Sequence, residues 1–286
     1  MSQPALVAEN LGKSFGEEVV FSGIDLTVDP GEIVVLLGPN GTGKSVLASC
    51  LAGGLVPSEG TVEISGEPPA AKHGMTSFLL QDALCLDRLT GRENIAFYRR
   101  LNPSFTDRWR TLVETFGIAD ALDDRVAQYS GGMRRKLELT IALSVEAPLY
   151  ILDEPTAALD LTMVSEVHHQ LSTLRDQGKA VLTTTHLPMD ADIADRIVFM
   201  TESGVVTTGA PADIKSAVPP VIETTIGNAE AIAEKVIDER LFRGEGVVRG
   251  LLDSEVEPAE ADEISEVRVT DPSYADVFNY YAHLKS

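Results

Sequence analysis

The chain has 286 residues, of which 44% are hydrophobic and 23% are charged, and this length suits one large domain or two unequal ones. Its 23 basic and 44 acidic residues give a formal net charge of −21, which disfavours DNA, RNA and anionic lipid as partners. No apolar segment approaches the ~20 residues that cross a bilayer, and no signal segment is recognisable, so we expect a soluble, cytoplasmic protein with reduced cysteines.

The acidic residues are spread along the whole chain. One interpretation is adaptation to a salt-rich cytoplasm, where high ionic strength screens the repulsion among carboxylates. The alternative is an ordinary acidic protein with an acidic C-terminal part. The composition leaves both interpretations open.

The first elements are predicted to be strands. Residues 4–28 contain two alternating segments, and the glycine-containing stretch at residues 12–16 is predicted to be the turn between them. Phe15 lies in that stretch, where its ring is suited either to stack on a nucleotide base or to close the end of a strand. The sequence pattern does not choose between these two roles.

The next segment contains a phosphate-binding motif. Ile33–Leu37 is an apolar run typical of a buried strand, and residues 45–52 follow a helical pattern. Between them the chain fits G-x-x-x-x-G-K-[ST] with Gly38, Pro39, Asn40, Gly41, Thr42, Gly43, Lys44 and Ser45. Glycines let successive N–H groups face one anion, Lys44 reaches the β- and γ-phosphates, and the Ser45 hydroxyl holds Mg²⁺. We predict a nucleoside triphosphate site rather than a glycine turn before a core helix.

Two further strands are predicted after this motif. Residues 61–66 alternate in the manner of an edge strand, and residues 76–80 form a short strand that ends at Gln81. A glutamine beside a phosphate-binding loop is suited to coordinate Mg²⁺ or the attacking water, although this signal is weak by itself.

Residues 88–147 follow a helical pattern and are predicted to form an insertion in an α/β chain. Thr90 and Glu93 form a capping box at the start of the first helix, and residues 109–116 form the second. Met133, Leu137 and Ile141 lie on one face of the third.

The third helix has an unusual start. Ser130, Gly131 and Gly132 precede it, and three basic residues at positions 134–136 occupy its first turn, where acidic residues are preferred. Such a start suits a bound phosphate. A simple Ser130 N-cap with solvated arginines is the alternative.

A buried strand at residues 149–153 ends in two carboxylates. Asp153 at its tip is predicted to meet the Mg²⁺ held by Ser45, and Glu154 is placed to orient and deprotonate a water. The alternative is a solvated acid pair. Residues 180–185 form another strand, which runs into His186 at the ligand-binding edge of a parallel sheet.

The character of the chain changes after residue 214. Residues 215–286 are acidic and are predicted to form a small α+β accessory domain, with helices at 228–240 and 272–284 and short strands between them. We find no catalytic constellation in this part of the sequence.

Together these motifs resemble the ATP-binding subunit of an ABC transporter, over residues 1 to about 215. Residues 38–45 correspond to the family's Walker A motif, Gln81 to the Q-loop and residues 129–133 to the signature. Asp153 and Glu154 correspond to Walker B with the catalytic glutamate, Asp160 to the D-loop and His186 to the switch histidine. Phe15 lies where the family's base-stacking aromatic residue lies.

The resemblance implies a fold and a mechanism. The implied fold is an α/β P-loop NTPase core at residues 1–214, with a β-rich N-terminal part and a helical subdomain at about 88–147. In this family two subunits pair head to tail, and ATP and Mg²⁺ lie between the Walker A motif of one subunit and the signature of the other. This explains the exposed helix start at Ser130.

Two features are similar to the exporter branch of the family, namely the signature Y-S-G-G-M and the segment at residues 272–278. We therefore expect an Mg-dependent ATPase that drives a separate membrane permease in export. It is expected to pair as a homodimer and to lie on the inner face of the cell membrane through the permease. The alternatives are a soluble ABC ATPase that acts on ribosomes or DNA and a catalytically silent interaction module.

Overall fold

The strands form three sheets in the computed structural model, which describes residues 3–69, 74–80, 84–244, 246–262, 264 and 266–285. In chain order they are β1 (Leu6–Phe15), β2 (Glu18–Val28), β3 (Ile33–Leu37), β4 (Glu59–Ile64), β5 (Thr76–Leu79), β6 (Leu149–Asp153), β7 (Ala180–Thr185), β8 (Arg196–Thr201), β9 (Gly204–Gly209), β10 (Val221–Thr225), β11 (Phe242–Arg243), β12 (Val247–Leu251) and β13 (Arg268–Thr270). The strand orders are β2-β1-β4, β5-β6-β7-β3-β8-β9 and β11-β12-β10-β13.

The helices of the described residues connect and cover these sheets. They are α1 (Lys44–Leu51), α2 (Gly91–Leu101), α3 (Trp109–Thr115), α4 (Gly131–Leu143), α5 (Leu161–Asp176), α6 (Pro211–Ser216), α7 (Glu230–Ala233), α8 (Pro258–Asp262) and α9 (Tyr274–Asn279). A π-helical turn, Tyr280–Leu284, follows α9. Within the described part of the chain, none of the helices is long and apolar enough to cross a bilayer.

The central strands β3, β6 and β7 of the six-stranded sheet are buried on both faces, and their alternate residues belong to two different hydrophobic clusters. Ile33, Val35 and Leu37 of β3 pack in the cluster that contains α3, α4 and α5. Val34 and Leu36 pack in the cluster that contains α1 and the antiparallel sheet. Because β3, β5, β6, β7 and β8 are parallel, their carboxyl ends meet along one edge of the sheet.

The helical segment between β5 and β6 begins as predicted. Thr90 Oγ1 accepts a hydrogen bond from the Glu93 backbone N–H at 3.1 Å, and the Glu93 carboxylate accepts one from the Thr90 N–H at 2.9 Å. Asn102 ends α2 in an extended conformation, as expected for a residue before proline. The three predicted helices are α2, α3 and α4.

The predicted turn at residues 12–16 is wrong in its extent. β1 continues to Phe15, which pairs with Glu18, and the turn consists of Gly16 and Glu17. Gly12 is a strand residue that pairs with Glu59 of β4. The two cross-strand pairings hold this polar stretch extended, although its composition is typical of a turn.

The predicted helix at residues 228–240 is also wrong, because only the four residues of α7 are α-helical there. Asp238 and Glu239 adopt left-handed conformations with φ of 52° and 53°, which end any helix. Val236 is buried and forms a β-bridge with Leu252. Tertiary pairing with the four-stranded sheet therefore overrides the helical periodicity.

The C-terminal helix packs back on the six-stranded sheet. Phe278 and Tyr281 place their rings 5.7 Å and 5.3 Å from the ring of Phe199 on β8. Arg249 on β12 joins the small sheet to α9 through Asp276, at 2.8 Å. The division predicted between residues 214 and 215 falls inside α6, and the proposed accessory domain shares hydrophobic contacts with the core.

High salt is expected to stabilise the chain if its net charge of −21 reflects adaptation to salt. The Debye length falls from ~10 Å at 0.1 M to ~3 Å at 1 M ionic strength, so repulsion among exposed carboxylates is screened. The melting temperature should rise from dilute buffer to molar KCl, by ~2–4 °C for each kcal/mol gained. Sucrose of matched osmolality is the control, and a flat or falling trend in KCl would leave the ordinary acidic interpretation.

Candidate active site

The phosphate-binding loop joins β3 to α1 and has the backbone shape that its glycines predict. Gly41 and Gly43 have φ of 85° and 91°, backbone conformations that residues with a Cβ rarely adopt. A Cβ on Gly38 would lie 2.0 Å from the Met200 carbonyl oxygen, so this position also requires glycine. The loop borders a cleft of about 350 Å³, lined by Val20, Asn40, Gly41, Gly43, Lys44, Ser45, Val46 and Glu154.

Lys44 and Thr42 hold the loop in shape. The Lys44 ammonium donates hydrogen bonds to the carbonyl oxygens of Gly38 at 2.9 Å and Pro39 at 2.6 Å, and the Thr42 hydroxyl donates to Pro39 at 3.0 Å. Burial lowers the pKa of Lys44, and the neighbouring carboxylates of Glu154 and Asp153 oppose that effect. The buried Lys44 side chain is part of the lining of the cleft.

Asp153 lies beside Ser45, as the sequence predicts. The Ser45 hydroxyl donates to Asp153 Oδ1 at 3.1 Å, and the Thr184 hydroxyl donates to the same oxygen. Asp153 Oδ2 is buried and has no hydrogen-bond partner among the described residues. A hydroxyl and an unsatisfied carboxylate oxygen are ligands that Mg²⁺ prefers, so the residues fit that ion. Gln81, the other predicted ligand, lies outside the described residues.

Glu154 and His186 meet at the ends of neighbouring strands. Their side chains approach within 2.8 Å, between Glu154 Oε1 and His186 Nδ1. The register of β6 on β7 explains this contact, because Asp153 pairs with Thr184 two residues before His186. Glu154 also has φ of 47°, an unusual conformation for a residue other than glycine. The sequence-predicted base and histidine are therefore brought together.

Ser130 lies at the start of α4, away from this cleft. Its hydroxyl accepts a hydrogen bond from the Met133 N–H at 3.2 Å and caps the helix. Ser130 and Gly131 are exposed, and neither lines the cleft at the phosphate-binding loop. A Cβ on Gly132 would lie 3.0 Å from the Ala158 carbonyl oxygen, so the signature is packed closely against the segment that leads to Asp160.

The basic residues behind Ser130 have partners of their own. Arg134 pairs with Asp87 at 2.6 Å, and Arg135 is buried and pairs with Glu138 at 3.1 Å. The alternative interpretation, a Ser130 cap with solvated arginines, therefore holds for the cap but not for Arg135, which is buried.

Phe15 and Asp160 are exposed, and neither lines the cleft at the phosphate-binding loop. Phe15 is 52% exposed at the end of β1, and the Lys13 ammonium is 4.9 Å from the centroid of its ring. Asp160 is exposed and caps α5 by accepting a hydrogen bond from the Met163 N–H at 2.9 Å.

Sequence reasoning missed Thr184 and Asp190. The Thr184 hydroxyl donates to Asp153 and accepts a hydrogen bond from the Glu154 N–H at 3.1 Å. Asp190 is buried and accepts hydrogen bonds from Thr156 and Thr185, which adjoin the Glu154 and His186 segments. The run of threonines at the end of β7 is a signal for Thr184, whereas no local pattern marks Asp190.

The fold and the site define a P-loop nucleoside triphosphatase of the α/β class. The family model described as ABC transporter matches residues 21–157. Daunorubicin resistance ATP-binding protein DrrA3 from Streptomyces coeruleorubidus is 30% identical over 97% of this chain and 96% of its own length. Nod factor export ATP-binding protein I from Rhizobium sp. (strain N33) is 33% identical over 74% of this chain and 72% of its own length.

A solved structure described as the ATP-binding subunit of an ABC transporter superimposes with a TM-score of 0.68. It is 24% identical and covers 74% of this chain and 92% of its own length, which supports the predicted fold. The chain belongs to the ABC transporter family, as an ATP-binding and ATP-hydrolysing subunit. The relatives confirm the predicted class of protein, an ABC ATP-binding subunit.

Proposed function

We propose that two copies of this chain form the working ATPase, with each ATP bound between the two. Residues 38–45 of one copy hold the phosphates, and Ser130, Gly131 and Gly132 of the other copy face the γ-phosphate. The exposure of the Ser130 segment supports this arrangement, because its helix start lies outside the lining of the subunit's own cleft and is open to a phosphate from a second copy. Phe15 stacks on the base, and Asp160 lies at the contact between the copies.

Ser45 and Asp153 hold Mg²⁺ in this proposal, and Gln81 is the third candidate ligand. When bound there, the ion would supply positive charge that neutralises the charge developing on the phosphates. Thr184 and Ser45 orient the Asp153 carboxylate by donating hydrogen bonds to Oδ1. Among the described residues, Oδ2 accepts no hydrogen bond. Lys44 holds the phosphates from the loop side.

Hydrolysis depends on Glu154 and His186, and their contact is the observation that carries this proposal. Glu154 orients a water and accepts its proton, while His186 holds the carboxylate at 2.8 Å. The positions of the two residues at adjacent strand ends place this pair on the same edge as Ser45 and Asp153. Water activation and phosphate binding therefore occur side by side.

The chain drives a separate permease, and it lies on the inner face of the membrane through that subunit. Export rather than uptake is supported by two relatives, one named for drug resistance and one for Nod factor export. A soluble ATPase that acts on nucleic acid is disfavoured by the net charge of −21.

Substitution of Asp153 by asparagine should remove the dependence of ATP binding on Mg²⁺. An amide oxygen is a weaker ligand than a carboxylate, and the buried Oδ2 of Asp153 is the oxygen best placed for the ion. Calorimetry should show tighter binding of ATP with Mg²⁺ than with EDTA for the wild type, and no difference for Asp153→Asn.

Asp176→Asn is the matched control, because Asp176 is an exposed carboxylate at the end of α5 that pairs with Arg175. It should behave like the wild type. A Mg²⁺ effect that persists at full size in Asp153→Asn would remove Asp153 from the ion site.

A further inference from the structure

Arg135 is a charged residue of α4 that lies inside the molecule. Its side chain is 6% exposed and reaches the carboxyl ends of β5 and β6. Nη1 donates to the Leu80 carbonyl oxygen at 3.4 Å, and Nη2 donates to the carbonyl oxygens of Asp153 and Glu154. One guanidinium therefore joins the helix that starts at the signature to the ends of two neighbouring strands.

The contacts to these carbonyl groups link α4 to the active site. Glu138, 1% exposed, pairs with Arg135 at 3.1 Å and supplies the negative charge that a buried guanidinium requires. Both residues belong to α4, so their ion pair by itself attaches nothing to the sheet. The planar guanidinium can donate N–H groups in several fixed directions, whereas a lysine ammonium lacks that fork.

The backbone of Glu154 needs support from its surroundings. Its φ of 47° is unfavourable for a residue with a Cβ and persists only where neighbouring contacts hold it. The Glu154 N–H donates to the carbonyl and hydroxyl oxygens of Thr184, both at 3.1 Å. On the other side, the Glu154 carbonyl accepts from Arg135. Thr184 and Arg135 thus hold the two peptide groups around Glu154, which fixes where its side chain leaves the backbone.

We propose that Arg135 is a positioning residue for the general base Glu154. By holding the carbonyl groups of Asp153 and Glu154, it keeps the Glu154 backbone in its left-handed conformation and the carboxylate against His186. This inference rests on the proposed role of Glu154. Because Arg135 lies one turn after Gly131, it also connects the start of α4 to the base.

The test is a double-mutant cycle in the full chain. The double variant Arg135→Met/Glu138→Met removes the buried ion pair without leaving one charge unpaired. It is introduced both into the wild-type chain and into the Glu154→Gln chain. In the wild type we expect kcat to fall ~10- to 100-fold with the KM for ATP changed less than ~2-fold, as for a displaced catalytic group. In the Glu154→Gln chain the same two substitutions should lower the residual rate of ATP hydrolysis less than ~2-fold, because the base is already lost.

A control shows that the effect is not general destabilisation. Arg196 pairs with Glu32 and donates to the Thr27 carbonyl oxygen at the opposite edge of the sheet. Arg196→Met with Glu32→Met should lower the melting temperature and leave kcat within ~2-fold of the wild type. Arg135→Lys keeps the charge and should have a kcat between those of the double variant and the wild type. If the double variant does not fold, Arg135→Lys replaces it in the cycle.

The outcomes separate this inference from the proposed function. Equal losses of kcat in both backgrounds, or no loss in the wild type, would overturn the positioning role of Arg135 while Glu154 remains the base. If Glu154→Gln alone turns over ATP at close to the wild-type rate, the role of Glu154 fails and the inference fails with it. A loss of kcat that is confined to the wild-type background supports the proposal.

Discussion

Glu154→Gln is expected to lose most ATP hydrolysis, by roughly 10²- to 10⁴-fold, while it still binds ATP. Glutamine has nearly the same shape and can orient a water, but its amide cannot accept the proton. The carboxylate borders the cleft and contacts His186 without contributing to the phosphate-binding loop, so affinity for ATP should be retained. Phosphate release and ATP calorimetry measure the two properties separately.

The same variant should accumulate as an ATP-bound dimer, because hydrolysis is the step that removes the γ-phosphate from between the two copies. Light scattering with Mg-ATP is the measurement. Glu114→Gln on α3 is the control, since Glu114 is an exposed glutamate, and it should hydrolyse ATP normally. Turnover within a few-fold of the wild type in Glu154→Gln would exclude Glu154 as the base.

Ser130→Arg is expected to abolish ATP-driven dimerisation and to spare ATP binding by the single subunit. Ser130 does not line the cleft that residues 38–45 form, so the subunit's own binding site is unchanged. A bulky side chain at the start of α4 would fill the space where the partner's γ-phosphate binds. Lys44→Ala should have the opposite defect and bind ATP poorly, because it loses the buried cation at the loop.

Mixing these two variants should restore ATPase activity that neither shows alone. In a heterodimer, one shared site combines Lys44→Ala from one chain with Ser130→Arg from the other and is inactive. The second shared site combines the unchanged Lys44 and the unchanged Ser130 of the two chains and is intact. The prediction takes one intact site as sufficient for turnover. Ser216→Arg is the control for introducing an arginine, because Ser216 is an exposed serine at the end of α6. It should not change dimerisation.

The mixing result discriminates between a shared site and a simple helix cap. Ser130 caps α4 in the single chain, and this alone explains why a serine lies there. If Ser130→Arg dimerises and hydrolyses ATP normally, the shared site is wrong and Ser130 is only a cap.

The sequence by itself determined the parts of the site that depend on short segments. The glycine pattern of residues 38–45 requires left-handed backbone at Gly41 and Gly43, and that requirement is local. The apolar runs of β3 and β6 identify buried parallel strands, so Ser45 and Asp153 were expected to meet at one edge of the sheet. In the structure the Ser45 hydroxyl oxygen lies 3.1 Å from Asp153 Oδ1. The capping box at Thr90 is likewise encoded within four residues.

Only the tertiary structure decided which side chains support those motifs. Arg135, in the basic stretch at residues 134–136, is indistinguishable in sequence from a solvated arginine, yet packing turns it towards the carbonyl groups of Asp153 and Glu154. Asp190 has no local pattern, because its partners Thr156 and Thr185 come from two other segments. The stretches at 12–16 and 228–240 follow the same rule, since strand pairing that is distant in sequence outweighs weak local preferences.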